Sequence, residues 1–130
     1  MIDTSAWIEF LRDTQSQTAQ AVEQALDSGI AISDPIRMEL LAGARDDLHL
    51  EKLRRLLSRY IHVSASPADY EYASLLYRQC RQNGLTVRKL VDCLIAAIAI
   101  RVDMPLLHLD SDFEALEKHT PLVSANNHRN

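Results

Sequence analysis

Glycine is scarce in this chain, with three in 130 residues. That argues against a glycine cradle for nucleotide phosphates, and neither GxxxxGK[ST] nor GxGxxG occurs. The two cysteines, Cys80 and Cys93, form no CxxC and no disulfide framework. Both fall in helical segments and read as small core residues in a reducing compartment. There is no HExxH, no Cys/His set with zinc spacing and no Ser-His-Asp arrangement. The histidines His49, His62, His108, His119 and His128 are scattered and read as surface or core residues rather than ligands. The most apolar run, Val91 to Ile100, is too short to cross a membrane and is flanked by Arg88, Lys89, Arg101 and Asp103. Met1-Ile2-Asp3 offers neither a basic n-region nor an apolar h-region, so no secretory signal is expected and the protein is read as cytoplasmic. No internal repeat, low-complexity stretch or second domain is visible.

A length of 130 residues makes one domain, enough to bury about two thirds of its unfolded surface. At 47% hydrophobic the composition is that of a globular protein. The segments alternate. Met1-Ile2 is a very short first strand, and Ala6 to Leu11 has helical spacing with Asp3, Thr4 or Ser5 as its cap. Thr18 to Ser28 is an amphipathic helix closed by Gly29. Ile30 to Ser33 suits a buried strand. Asp34-Pro35 reads as N-cap and first helical position of a helix that carries Glu39 one turn in. Leu48 to Tyr60 is helical, with Leu50, Leu53, Leu56 and Leu57 inward. Tyr60 to Val63 is a third strand. Ser66-Pro67 opens a long helix through Gln82 that ends at Asn83-Gly84. A central helix follows from Leu90, then a fourth strand at Leu106 to Leu109, a helical turn from Glu114 to His119 and a last strand at Pro121 to Val123. Ser124 to Asn130 is polar and reads as a loose tail. Short strands alternating with helices predict an α/β domain with a parallel sheet covered on both faces.

The central helix carries an anomaly. Every residue from Val91 to Ile100 except Asp92 is apolar. An apolar surface all round means burial, and an unpaired buried charge costs several kcal/mol (roughly, after relaxation). Asp92 taken alone fits a helix cap or a pair with Arg88 or Lys89. Its company points elsewhere. Asp3 follows strand one, Asp110 and Asp112 follow strand four, and Glu39 lies in the helix after strand two. Loops leaving the C-terminal ends of parallel strands form the binding crevice, so four segments can bring carboxylates together. Such a group stays ionised only beside a cation, and all-oxygen ligands select Mg2+ or Mn2+. A carboxylate-held ion of that kind suits phosphoryl chemistry, because it acidifies a bound water and neutralises charge on phosphate. The formal charge is −4, but with those five acids set aside it becomes +1, so the remaining surface need not repel a nucleic acid.

The motifs Asp3-Thr4-Ser5-Ala6-Trp7, Asp34-Pro35-Ile36-Arg37-Met38-Glu39-Leu40-Leu41-Ala42-Gly43, Leu90-Val91-Asp92-Cys93-Leu94-Ile95-Ala96 and Leu107-His108-Leu109-Asp110-Ser111-Asp112-Phe113 resemble, in order and spacing, the four acidic motifs of PIN-domain ribonucleases. VapC-type toxins of bacterial toxin–antitoxin pairs are the nearest match, over residues 1–123. The resemblance implies a PIN fold, Mg2+ or Mn2+, endonucleolytic cleavage of structured RNA such as a tRNA or rRNA loop, a homodimer, and a small VapB-type antitoxin that inhibits the enzyme in a hetero-oligomer. It places Asp3, Glu39, Asp92 and Asp110 on the family's catalytic, metal-binding acids and Asp112 on a further metal-binding acid. Which of Asp110 and Asp112 touches the metal is left open. Ser5 falls on a small hydroxyl position that supports the ligands. His108 stands where many members have Thr, and the first strand is trimmed. Two alternatives compete. A catalytically inactive PIN-like RNA- or protein-binding module would be expected to have lost acids, and none is missing. A phosphate-transfer domain of the receiver or haloacid-dehalogenase type needs its aspartates on the first strand or a late lysine, and Asp110-Ser111-Asp112 comes late with no such lysine.

Overall fold

In the computed structural model residues 1–126 are described, so His128 and the last four residues of the expected tail lie outside them. The described elements are α1 (Thr4–Leu11), α2 (Gln17–Asp27), β1 (Ala31–Ser33), α3 (Asp34–Ala42), α4 (Asp47–Leu57), β2 (Ile61–Val63), α5 (Pro67–Gln82), α6 (Leu90–Arg101) and α7 (Ser111–His119). This is the expected α/β arrangement of short parallel strands among helices. No helix among the described residues is long and apolar enough to cross a membrane.

Local chemistry sets the helix starts. Asp3, Ser16, Asp46, Ser66 and Asp110 cap α1, α2, α4, α5 and α7, each accepting a backbone N–H with its side chain. At α5 the cap is a full capping box, with Asp69 answering Ser66. Gly29, at φ +81°, takes the left-handed turn that ends α2. Two starts differ from expectation. The cap of α3 is Ser33, not Asp34, and it makes no side-chain bond. Asp34 reaches across to the end of β2 instead, where it accepts from Ala65 N at 3.0 Å and pairs with His62. The α6 cap, Lys89, has no acceptor side chain. Asp112, distant in sequence, instead anchors the residues that lead into the helix by accepting from Arg88 N at 3.0 Å and Lys89 N at 3.1 Å.

β1 and β2 pair in parallel, Ala31 with Ile61 through Ser33 with Val63. The other expected strands shrink to single parallel bridges, Ile2 with Leu107 and Leu106 with Ser124. Side chains interrupt the ladder beyond Leu107. The Asn126 amide takes His108 N at 3.0 Å and gives to His108 O at 2.9 Å, and Ser5 Oγ takes Leu109 N at 3.0 Å. The last pairing therefore falls at Val123 to Ala125 rather than Pro121 to Val123, and Ser124 to Asn126, expected in the loose tail, are tied to the core.

The core runs through α6, where Asp92 to Ala99 are all buried. Ile2, Trp7, Ile32, Ile36, Leu76, Leu106, Phe113 and Leu116 join it. Cys80 and Cys93 are free and buried, and burial pushes the Cys93 thiol up to about 12, as suits small core residues. Arg101 at the end of α6 locks onto α5: its Nε and Nη2 donate to buried Asp69 at 2.8 and 2.9 Å, and Nη2 also to Ser64 O at 2.8 Å. Burial opposes the Asp69 charge, but the bonds from Arg101 and Ser66 outweigh it and hold that carboxyl below its usual range.

A depressed carboxylate stabilises the fold above its unfolded value and loses that contribution as pH falls through the folded one. Arg101→Met is therefore expected to cost about 1–2 kcal/mol at neutral pH, given that the guanidinium is partly exposed. Urea denaturation should show the deficit narrowing below about pH 4.

Candidate active site

Two of the acids, Asp3 and Asp110, stand at the beginnings of helices because their carboxylates are also caps. Asp3 ends the first extended segment and starts α1. It is buried, and its Oδ2 accepts from Ser5 N at 3.0 Å and Ser5 Oγ at 2.5 Å. Its Oδ1 is buried with no hydrogen-bond partner. Since Ser5 Oγ also accepts from Leu109 N, one hydroxyl ties Asp3 to the segment leading into Asp110. Glu39, half-buried on α3, accepts from Thr4 Oγ1 at 2.6 Å.

Asp92 lies in the first turn of α6 at 2% exposure, and its Oδ2 has no hydrogen-bond partner. The nearest cation, Lys89 Nζ, is 3.9 Å away. Asp110 caps α7, and its Oδ1 accepts from Asp112 N at 2.9 Å and Arg88 Nη2 at 2.8 Å. Its Oδ2 faces Lys89 Nζ at 3.5 Å. Asp112 is more fully engaged, since Arg88 N, Lys89 N and Arg88 Nε, the last at 3.2 Å, take both its oxygens.

Of the five acids singled out from the sequence, Asp92, Asp110 and Asp112 each offer an oxygen within 4.8 Å of the others. No histidine or cysteine belongs to that group. Asp3 and Glu39 stand outside it yet are coupled to it. The Asp3 charge acts on Asp92, the Asp110 charge acts on Asp3, and the Glu39 charge acts on Lys89.

Burial raises the Asp92 carboxyl most, followed by its hydrogen bond to Asp112 and the charges of Asp3 and Asp110. Lys89 opposes them, and the carboxyl ends at about 8. Burial also raises Asp3 despite the Ser5 bonds. Asp112 is lowered, because bonds from Asp92, from the Arg88 and Lys89 backbone and from the Arg88 side chain outweigh its burial. Burial pulls the Lys89 ammonium down, but Asp92, Asp110 and Glu39 more than reverse this. In the bare protein a proton on Asp92, with Arg88 and Lys89, offsets the charge of Asp92, Asp110 and Asp112 but leaves Asp3 and Glu39 without a cation of their own among the described residues. The donor set is all oxygen, and buried Asp3 Oδ1 and Asp92 Oδ2 lack hydrogen bonds. Both features fit a hard divalent cation.

Thr4, Arg88 and Lys89 gain parts that sequence reasoning did not assign them. Thr4 entered only as a possible cap, and Arg88 and Lys89 only as possible partners of Asp92. The available signal was adjacency: Thr4 follows Asp3, and both cations precede Asp92 within one turn.

The PIN domain family model matches residues 1–119. The chain is 41% identical over 129 residues to VapC ribonuclease Mb1587 of Mycobacterium bovis, covering 96% of both chains. It matches Ribonuclease VapC11 of Mycobacterium tuberculosis to the same extent, 41% over 96% of both. Among solved structures, VapBC2 from Rickettsia felis, bound to a DNA fragment from its promoter, superposes with a TM-score of 0.77 at 24% identity over 97% of this chain and 96% of that one. The chain belongs to the PIN-domain family, in its VapC branch.

A carboxyl raised in the fold binds its proton more tightly there than in the unfolded chain, so stability falls as pH rises from the ordinary aspartate value toward about 8. Asp92→Asn removes that penalty. Without divalent ions it should raise Tm more at pH 8 than at pH 5, as scanning calorimetry can measure. An equal shift at both would count against the protonated Asp92.

Proposed function

We propose that this protein is the toxin endoribonuclease of a type II toxin–antitoxin pair, cutting structured RNA with Mg2+ or Mn2+ at its carboxylate site. The observation that carries the reading is the convergence of Asp92, Asp110 and Asp112 within 4.8 Å, with buried Asp92 Oδ2 unpartnered. The curated relatives named above are ribonucleases.

Asp92, Asp110 and Asp112 are the residues that would hold the ion, with buried Asp3 coupled to Asp92 beside them and Glu39 at the margin of the site. Asp112 also accepts from Arg88 N, Lys89 N and Arg88 Nε. Those bonds fix the Arg88–Lys89 segment that leads into α6, and with it Asp92, against Asp110. A bound Mg2+ or Mn2+ supplies Lewis-acid stabilisation of phosphate charge and a more acidic water. The chain supplies position and electrostatics. Burial keeps bulk water from Asp3 and Asp92, Ser5 and Thr4 orient Asp3 and Glu39, and the carboxylates present a surface that only a cation can make attractive to phosphate. Arg88, 65% exposed at its side chain, and Lys89 are cations at the mouth of the site that can meet RNA phosphates once their carboxylates are otherwise neutralised.

A VapB-type antitoxin and a second copy of the chain complete the assembly in this reading, which places the protein in the cytoplasm as one PIN domain spanning residues 1–123. The Rickettsia felis neighbour is a VapBC2 assembly. Ile8, Leu11, Leu40 and Gly43 line a groove that reaches Glu39 and is rimmed by Arg12 and Arg45. An amphipathic helix of the antitoxin fits such a groove, with an arginine after it paired to the carboxylates.

Purified protein should cleave RNA with Mg2+ or Mn2+ and stop with EDTA. Asp3→Asn, Glu39→Gln and Asp92→Asn should each lower the rate by about a hundredfold or more, since even residues that merely support metal ligands cost about 10–100-fold. An Asp92→Asn variant that cuts at the parent rate would refute the assignment.

The antitoxin reading has its own test. Raising Mg2+ should weaken inhibition by an antitoxin tail peptide beyond the effect of monovalent salt at equal ionic strength. Replacing the peptide's arginine by alanine should remove most of that metal dependence. Identical inhibition curves at every metal level would mean that the partner blocks RNA from outside the site.

A further inference from the structure

His108 has no task in the reading above, yet it is among the most constrained side chains in the protein. It is 1% exposed, and its ring lies 5.1 Å from that of Phe113. Its backbone is bracketed by the Asn126 amide. Both ring nitrogens are engaged. Nε2 is 2.7 Å from Glu117 Oε2, and Asp110 N is 3.3 Å from Nδ1.

Those partners fix the tautomer. A peptide N–H can only donate, so Nδ1 presents a lone pair. An imidazole whose lone pair is on Nδ1 carries its hydrogen on Nε2, the nitrogen that faces Glu117 Oε2. The bond from Asp110 N to an acceptor two residues earlier has the geometry that Asn, Ser or Thr side chains ordinarily supply in a turn. It holds the Asp110 backbone extended, at φ −131° and ψ 131°, where the carboxylate can cap α7 through Oδ1 and leave Oδ2 facing Lys89.

We propose that His108 is a positioning residue for Asp110: Glu117 holds its ring so that Nδ1 accepts the Asp110 N–H and aims that carboxylate into the site. The proposal rests on Asp110 being one of the metal-holding acids. Glu117 lies further along α7, the helix that Asp110 caps, and meets Asp110 through this ring.

The test compares His108→Leu with His108→Asn by calorimetric titration of Mn2+ into the metal-free protein. The two side chains are nearly isosteric. Both leave Glu117 without its partner and the same space behind, so loss of packing weighs on them alike. Only Asn retains an acceptor where Nδ1 stood. His108→Leu should bind Mn2+ about tenfold or more weakly than the parent, and His108→Asn within about threefold of it. Long-range proton–nitrogen NMR correlations of the parent ring should show a bare Nδ1 and a protonated Nε2, a readout that does not depend on any variant folding. Parent-like Mn2+ affinity in His108→Leu, equal losses in both variants, or a hydrogen on Nδ1 would each overturn the role while leaving the metal site in place. A parent protein that binds no Mn2+ would overturn the site and this role together.

Discussion

The structure turns on one unfavourable fact, a carboxylate buried in the most apolar helix of the chain. Asp92 is followed by Cys93 to Ala99, all buried, on the helix that forms the centre of the core. The Lys89 ammonium stands 3.9 Å from Asp92 Oδ2, too far for a hydrogen bond. Burial and neighbouring acids push the carboxyl to about 8, so the metal-free fold keeps a proton there at neutral pH. Such a group is costly unless something cationic comes to it. A divalent ion at the proposed site would take the place of that proton and remove the cost.

Two of the other acids reach Asp92 through helix capping. Asp3 caps α1, Asp110 caps α7, and Asp112 serves the start of α6 from across the fold. Helix N-termini carry partial positive charge, and their free N–H groups orient carboxylates while leaving some oxygens open. The same residues thus define where helices begin and where the negative charge collects. Arg88 joins Asp110 to Asp112, and Ser5 joins Asp3 to Leu109, so the segments cannot shift independently. Glu39 is held less tightly, by Thr4 alone among hydrogen-bonding side chains in the described residues, which fits a place at the margin.

Much of this was legible in the chain. The acid inside Val91 to Ile100 announced itself because hydrophobic burial and charge conflict locally, and the helix and strand order followed from periodicity and caps. What stayed hidden depends on contacts between distant residues. Asp34 looked like a cap because Pro35 follows it, but the β1–β2 register brings Ala65 and His62 within its reach. The strand at Leu106 to Leu109 looked four residues long because its composition is uniform, yet Asn126 and Ser5 take its last backbone groups. Local pattern could not show that Asp112, and not Asp110, takes the backbone N–H groups of Arg88 and Lys89 just ahead of α6. His108 read only as a departure from threonine, because its partners Glu117 and Asn126 lie in the helix and the segment that follow.

The most direct test of the central claim is the number of protons released when Mn2+ binds at pH 7, obtained by titration calorimetry in buffers of different ionisation enthalpy. A carboxyl near 8 is protonated in the free protein at that pH and must ionise to take a cation, so binding should release about one proton per ion. In Asp92→Asn the release should vanish. Binding of Mn2+ with no proton released by the parent protein would contradict the account, because the ion would then be held by carboxylates that do not include a buried, protonated Asp92.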